Sequence, residues 1–481
     1  MTLIKSLLLG SAAGIVAVAS AQAADLPTRK GAPAAEYVKV CTINVAGKPV
    51  VGFTLPGSDT CIKFSGYLTA QIEGGPAGNS YSTSYVPSAK LNPNIVAGGQ
   101  TVTAGGSQPS GSQFGYTTRF NFTVDTVSNT AAGPLAAHVE LQVENGSGFD
   151  NTGTTTYINK GYVTWAGITA GKASSFFSFT GGGAGWANFI SPDQQGFNQP
   201  DLIAYTASFG GGFSASISAQ DPQPNANGTG SQLDNLGASA ATPGSVVGGV
   251  FVPGTPANPL IHYNGLQWPD IVGQLKVSQG WGTAQVSGVV HNVNVTEGLD
   301  SFGIKQNKVG WGIDAGVSFN LPSLGAGDQI MVTGAYTQNA IWYSGLGDAM
   351  WNGNGADSNG QGYALADTYY AGAGVWQNPT AWSITAEFDH TFTPEFTGSL
   401  EGSYGATNWS GGTAFSAVSN ATTWLVGGVL HYDPVKNLDF ELELLYQNTN
   451  NSTPGLYAST ATPWHGNGNG TAARFEITRS W

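Results

Sequence analysis

The chain has 481 residues, a formal charge of −13 and only 9% charged residues, against 70 glycines and 41% hydrophobic residues. Soluble domains carry about a quarter charged residues, and a chain this acidic repels nucleic acid, so a standard soluble core and a nucleic-acid partner are both disfavoured. With 11% aromatics and no apolar run that could span a membrane as a helix, the composition suits a closed membrane barrel better than a secreted β-sandwich or β-solenoid.

The start reads as an export signal over residues 1–23. Lys5 gives the positive end, Leu7 to Ser20 the apolar stretch, and Ala21-Gln22-Ala23 the small-residue cleavage site. The apolar stretch is too short to cross a membrane, which takes about 20 residues. Residues 24–61 are expected to form a periplasmic leader, Pro- and Ala-rich over Ala24 to Tyr37. In an oxidising compartment Cys41 and Cys61 are expected to form one disulfide, worth about 3 kcal/mol by loop-closure entropy. No CxxC spacing or nearby His points to redox or metal chemistry at these cysteines.

From residue 62 the hydrophobic pattern has period two. Ile62, Phe64, Leu68 and Ile72 alternate with Lys63, Ser65, Thr69, Gln71 and Glu73, which sets one face in oil and the other in water. The pattern recurs near 113–125, 135–145, 157–166, 167–173, 201–209, 211–220, 269–279, 281–294, 307–320, 328–338, 381–392, 394–405, 421–433, 436–448 and 471–481. The expected fold class is all-β, a sixteen-stranded antiparallel transmembrane β-barrel over residues 62–481. Its strands are longer than the 5 to 6 residues common in sandwiches. Short turns such as Thr393-Pro394 and Asp433-Pro434 alternate with long Gly/Asn/Ser-rich loops, as an outer-membrane barrel requires. Aromatics near strand ends, among them Tyr157, Tyr162, Trp311, Tyr336 and Trp424, suit a membrane interface.

One stretch breaks the alternation. Residues 173–200, ASSFFSFTGGGAGWANFISPDQQGFNQP, carry a GGG run, six aromatics and a single acid, Asp193. They are expected to fold into the barrel as its constriction. The chain closes on TAARFEITRSW, whose Phe475, Ile477 and Trp481 share a face and look like an outer-membrane assembly signal.

Parity assigns Lys63, Arg119, Lys160, Lys276 and Arg474 to the lumen. It also places there the more numerous acids Glu73, Asp125, Glu140, Glu144, Asp314, Glu387, Asp389, Glu395, Glu401, Asp439, Glu441, Glu443 and Glu476. A basic wall on the first strands and the last, facing acids on the loop or the opposite wall, would set a transverse field. The acid excess favours weak cation preference. Asp193, Lys63, Arg119, Lys160, Arg474 and Glu140 are the candidate constriction and lumen residues.

The chain resembles the alphaproteobacterial general porins, the Brucella and rhizobial porin family, through SLLLGSAAGIVAVASAQAADLP, PGSDTCIKFSGYL, WAGITAGKASSFFSF, LIAYTASFGGGFSASISAQDP, PDIVGQLKVSQGWGTAQVSGVVHNV, NLPSLGAGD, FTPEFTGSLEGSYG and DPVKNLDFELELLY. The resemblance implies a homotrimeric sixteen-stranded outer-membrane barrel, passing small hydrophilic solutes and ions, with its third extracellular loop folded inward at 173–200. Outer-membrane lipid, lipopolysaccharide and the barrel-assembly machinery are the implied partners. Members of the family usually end in Phe where this chain has Trp481, and their constrictions are richer in charge.

The six His lie in no GxSxG or HExxH setting, so no enzyme is expected. No cofactor or metal is expected either, since Asp348, Asp357 and Asp367 lack an EF-hand spacing. A substrate-selective channel, with FFSFT and GWANF as an aromatic slide for sugars, is the alternative function.

Overall fold

The computed structural model describes residues 39–45, 48–54, 57–74, 94–97, 100–103, 114–147, 153–180, 199–221, 245–247, 250–252, 261–263, 267–297, 305–346, 367–370, 376–410, 420–452 and 467–481. Sixteen antiparallel strands close into a barrel. They are β1 (Cys61–Gly74), β2 (Phe114–Thr130), β3 (Gly133–Gly146), β4 (Thr154–Trp165), β5 (Ile168–Lys172), β6 (Asp201–Gly210), β7 (Phe213–Gln220) and β8 (Asp270–Gln279). The second half comprises β9 (Gly282–Glu297), β10 (Lys305–Asn320), β11 (Gln329–Gln338), β12 (Pro379–Thr393), β13 (Phe396–Trp409), β14 (Ala421–Val435), β15 (Leu438–Asn451) and β16 (Asn467–Ser480). Each strand pairs with its sequence neighbour, and β16 returns to β1 from Ala473↔Gly74 to Ser480↔Tyr67. Closure pairs the first strand with the last, which is what a sheet in lipid needs.

The alternation decides the two faces. On β1, Phe64, Leu68 and Ile72 are exposed to the lipid side, whereas Thr69, Gln71 and Glu73 are buried within the bore. Two aromatic belts bound the apolar band. The loop-side belt sets Trp311 against Tyr336, Trp382 against Tyr404 and Trp424 against Tyr446, tilted pairs with centroids at 5.7, 5.4 and 5.3 Å. The turn-side belt includes Trp281 with Phe319 at 5.5 Å and Phe396 with Tyr432 at 4.4 Å. Trp311 and Phe319 lie on one strand. Their separation is about 26 Å along it at ~3.3 Å per residue, or about 20 Å of membrane thickness at a tilt of ~40°.

Turns at 131–132, 166–167, 211–212, 280–281, 321–328, 394–395 and 436–437 form one end of the barrel, the periplasmic one by their shortness. The long connections form the other end. No helix among the described residues is long and apolar enough to cross a membrane, and one 3-10 turn, Ile341–Ser344, sits inside the loop end.

Residues 1–38, with the expected signal segment, lie outside the described residues. The rest of the expected leader contains a hairpin, Lys39–Val45 with Lys48–Thr54. β16 reaches only as far down β1 as Tyr67, and below it Phe53 and Thr54 pair with Ile62 and Cys61. The hairpin therefore pairs with the end of the β1 edge that β16 leaves open. The Cys41–Cys61 disulfide ties it there. A cleft of about 510 Å³, lined by Val50 and by the inward side chains Asp125, His138, Tyr162 and Thr164, separates it from the wall of β2 to β5.

Two aromatics expected at the membrane interface face the lumen instead. Tyr157 faces the lumen, where its hydroxyl bonds Glu144 at 3.2 Å and accepts from Gln142 at 2.6 Å. Tyr162 also faces inward, stacked on His138 at 5.0 Å. The cause is a bulge: Glu140 pairs with Lys160 and Leu141 with Ile158, so Asn159 is the extra residue that reverses the faces of β4. Glu395 lies in the 394–395 turn and not on the strand wall.

Candidate functional site: the channel lumen

The loop after β5 turns inward from its first residue. Its base is closed by the Ala173 N–H donating to the Pro200 carbonyl at 3.2 Å. Residues 173–180 then run along the inner wall of β7 to β11. Gln274 Nε2 donates to the Phe176 carbonyl at 2.9 Å, and Gln285 Nε2 to the Phe177 and Ser178 carbonyls at 3.2 and 3.1 Å. Ser287 Oγ donates to the Phe177 carbonyl at 2.5 Å. Inward amides and hydroxyls of strands thus satisfy the backbone of a segment that belongs to no strand.

The Phe177 ring is fully buried among Val272, Val289, Ala335, Ala340 and Tyr343, a burial worth about 2–3 kcal/mol. Phe179 lies over Gly316, where a Cβ would fall 2.1 Å from its Cγ. Only glycine lets that ring close on the wall. Phe177 and Phe179 are therefore anchors against the wall, which removes them from the aromatic slide the sequence suggested. Asp193 and the rest of 181–198, GWANF included, lie outside the described residues.

A buried polar chain holds this anchor to the loop end. Gln220 Nε2 donates to Ser175 Oγ at 3.0 Å and to the Tyr343 hydroxyl at 3.2 Å. Tyr343 donates to Asp270 at 2.6 Å, and His291 lies between Asp270 at 2.8 Å and Asp367 at 3.3 Å. Asp367 also accepts the Ile341 N–H at 2.7 Å. The Tyr343 hydroxyl is held neutral well above its usual range, by burial first and then by Asp270. Alternation does not disclose this network, because Ser175, Tyr343 and Asp367 stand outside the strands.

On the opposite wall every candidate base has an acid beside it. Arg119 Nε lies 2.6 Å from Glu144. Lys63 pairs in register with Asp125, and Lys160 with Glu140. Glu140 also accepts from Asn121 and Asn159 at 2.6 and 2.9 Å. Arg474 stands 3.8, 3.1 and 3.3 Å from Glu441, Glu443 and Glu476. The expected separation into a basic wall facing an acidic one is replaced by a mosaic. Inward residues opposite one another on adjacent strands lie about 5 Å apart, close enough for ions of opposite sign to pair along the wall.

At the end of the chain, Phe475, Ile477 and Trp481 project to the lipid side. Trp481 exchanges backbone hydrogen bonds with Gly66 at 3.1 and 3.4 Å and stacks on Phe120 at 5.9 Å.

A family model described as Porin subfamily matches residues 25–473. Porin Omp2b of Brucella suis biovar 1 (strain 1330) is 30% identical over 305 residues, 61% of this chain and 67% of its own length. Porin Omp2b of Brucella abortus (strain 2308) is 31% identical over the same shares. Among solved structures, the outer membrane channel DcaP of Acinetobacter baumannii matches with a TM-score of 0.55 at 13% identity, covering 89% of this chain and 99% of its own. The closed barrel, the lipid-facing apolar band and this match over most of the chain agree: the protein belongs to the porin subfamily and is a channel of the outer membrane.

Proposed function

We propose that the channel is a passive diffusion pore for small hydrophilic solutes and ions, weakly cation-preferring, narrowed by residues 173–200 and assembled as a homotrimer. The observation that carries the selectivity is the mosaic wall. Arg119 and Arg474 are each spent on neighbouring carboxylates, so the acids in excess set the sign of the interior potential, and acid-lined pores favour cations. The anchored course of 173–180 along the inner wall supports the constriction. Trp481, at the barrel seam, supports a role for Phe475, Ile477 and Trp481 in recognition during assembly. The reversal potential across a planar bilayer in a KCl gradient tests the selectivity. The expected sign is that of K⁺ preference, and a Cl⁻-preferring potential would overturn the reading.

A further inference from the structure

We propose that His431, Asp439 and Glu441 form a site for a divalent transition-type cation, of which Zn²⁺ is the natural probe, on the lumen wall near the periplasmic mouth. His431 on β14 is in direct register with Glu441 on β15, and Asp439 is the next inward residue towards the 436–437 turn. His431 Nδ1 lies 3.0 Å from Asp439 Oδ2 and 3.7 Å from Glu441 Oε2, and the three donor atoms all lie within 4.8 Å of one another. Zinc bonds of about 2.1 Å to nitrogen and oxygen give a tetrahedron with edges of roughly 3.4 Å. The side chains therefore already stand near ligand spacing.

The other histidines show what is particular here. His138 meets Asp125 through Nδ1 and Glu140 through Nε2. His291 likewise meets Asp270 and Asp367 through opposite ring nitrogens, and His390 meets Asp328 through Nδ1. Of these four rings, only that of His431 has carboxylates of two residues converging on the same nitrogen, the arrangement in which one ion can replace both contacts.

A second observation points the same way. Asp439 Oδ1 and Glu441 Oε1 are buried with no hydrogen-bond donor among the described residues. Anionic oxygens in that condition carry a desolvation cost that a cation would offset. Arg474 does not discharge the cluster, since it stands 3.8 Å from Glu441 and lies closer to Glu443 and Glu476.

One nitrogen and two carboxylate donors suit Zn²⁺, Ni²⁺ or Cu²⁺, whereas Mg²⁺ and Ca²⁺ take all-oxygen sets. Three protein ligands leave the fourth position to water from the lumen. Occupancy would add positive charge at the mouth of an acid-lined bore and lower its cation current.

Zinc titration of the untagged, folded full-length channel by calorimetry tests the site without reference to conductance. Wild type is expected to bind one Zn²⁺ per chain, with at least a tenfold loss of affinity in His431→Ala and in Asp439→Asn. His138→Ala is expected to retain wild-type affinity, and excess Mg²⁺ to leave zinc binding in place. Absence of a one-per-chain site in wild type, wild-type affinity in both cluster variants, or displacement by Mg²⁺ would overturn the proposal. Asp439→Asn keeps the test alive if His431→Ala does not fold.

Discussion

Arg119 illustrates how the lumen treats charge. Its guanidinium is held 2.6 Å from Glu144, so it tempers the acid wall. Arg119→Ala is expected to raise cation preference, read as a larger reversal potential of unchanged sign in a KCl gradient. Tyr343 is the corresponding residue of the loop end. Tyr343→Phe removes the donor to Asp270, a change of about 1–3 kcal/mol for a buried acceptor. Its expected readout is faster amide exchange in 173–180 and 341–344 with the strand amides unaffected. Asp328, in the turn beyond the membrane, accepts from the Thr391 N–H at 3.1 Å and from His390 at 2.7 Å, and these hold its carboxyl below the usual range. A depressed pKa stabilises the fold above the unfolded value of about 3.9 and is lost as pH falls through the folded value. Asp328→Asn should therefore melt at a lower temperature than wild type at pH 7, and the difference should begin to shrink below about pH 4 and close once the pH is below the folded value.

Strand by strand, alternation in the sequence carries the barrel because its two solvents, lipid and water, demand opposite residues at adjacent positions. In the segment near 167–173, Lys172 shares parity with the apolar Ile168. The structure accommodates it by turning the Lys172 Nζ onto the Ile158 carbonyl at 2.9 Å. The bulge at Asn159 and the N-terminal hairpin were not legible. An extra residue changes a face without changing composition, and the hairpin is set by where β16 stops. Nor did spacing announce the seat of Phe177, whose partners come from β8, β9 and β11. For that seat the wall predicts its own tests. Phe177→Ala should cost about 3–5 kcal/mol of anchorage, and Gly316→Val should displace Phe179. In both, single-channel current is expected to become noisier and its mean to change, while the β-signal in circular dichroism stays.

Among the described residues the molecule is a closed wall along whose inner face 173–180 run, and passive conduction follows if the loop that begins there narrows the bore without sealing it. On the proposed reading the wall supplies charge and the loop supplies shape, since Asp193 is the only charged residue in 173–200. The most direct test is single-channel conductance in planar bilayers of the wild type and of a variant lacking residues 181–188. Ohmic steps in wild type and larger ohmic steps in the deletion are the predicted result, and identical conductance in the two would contradict the account.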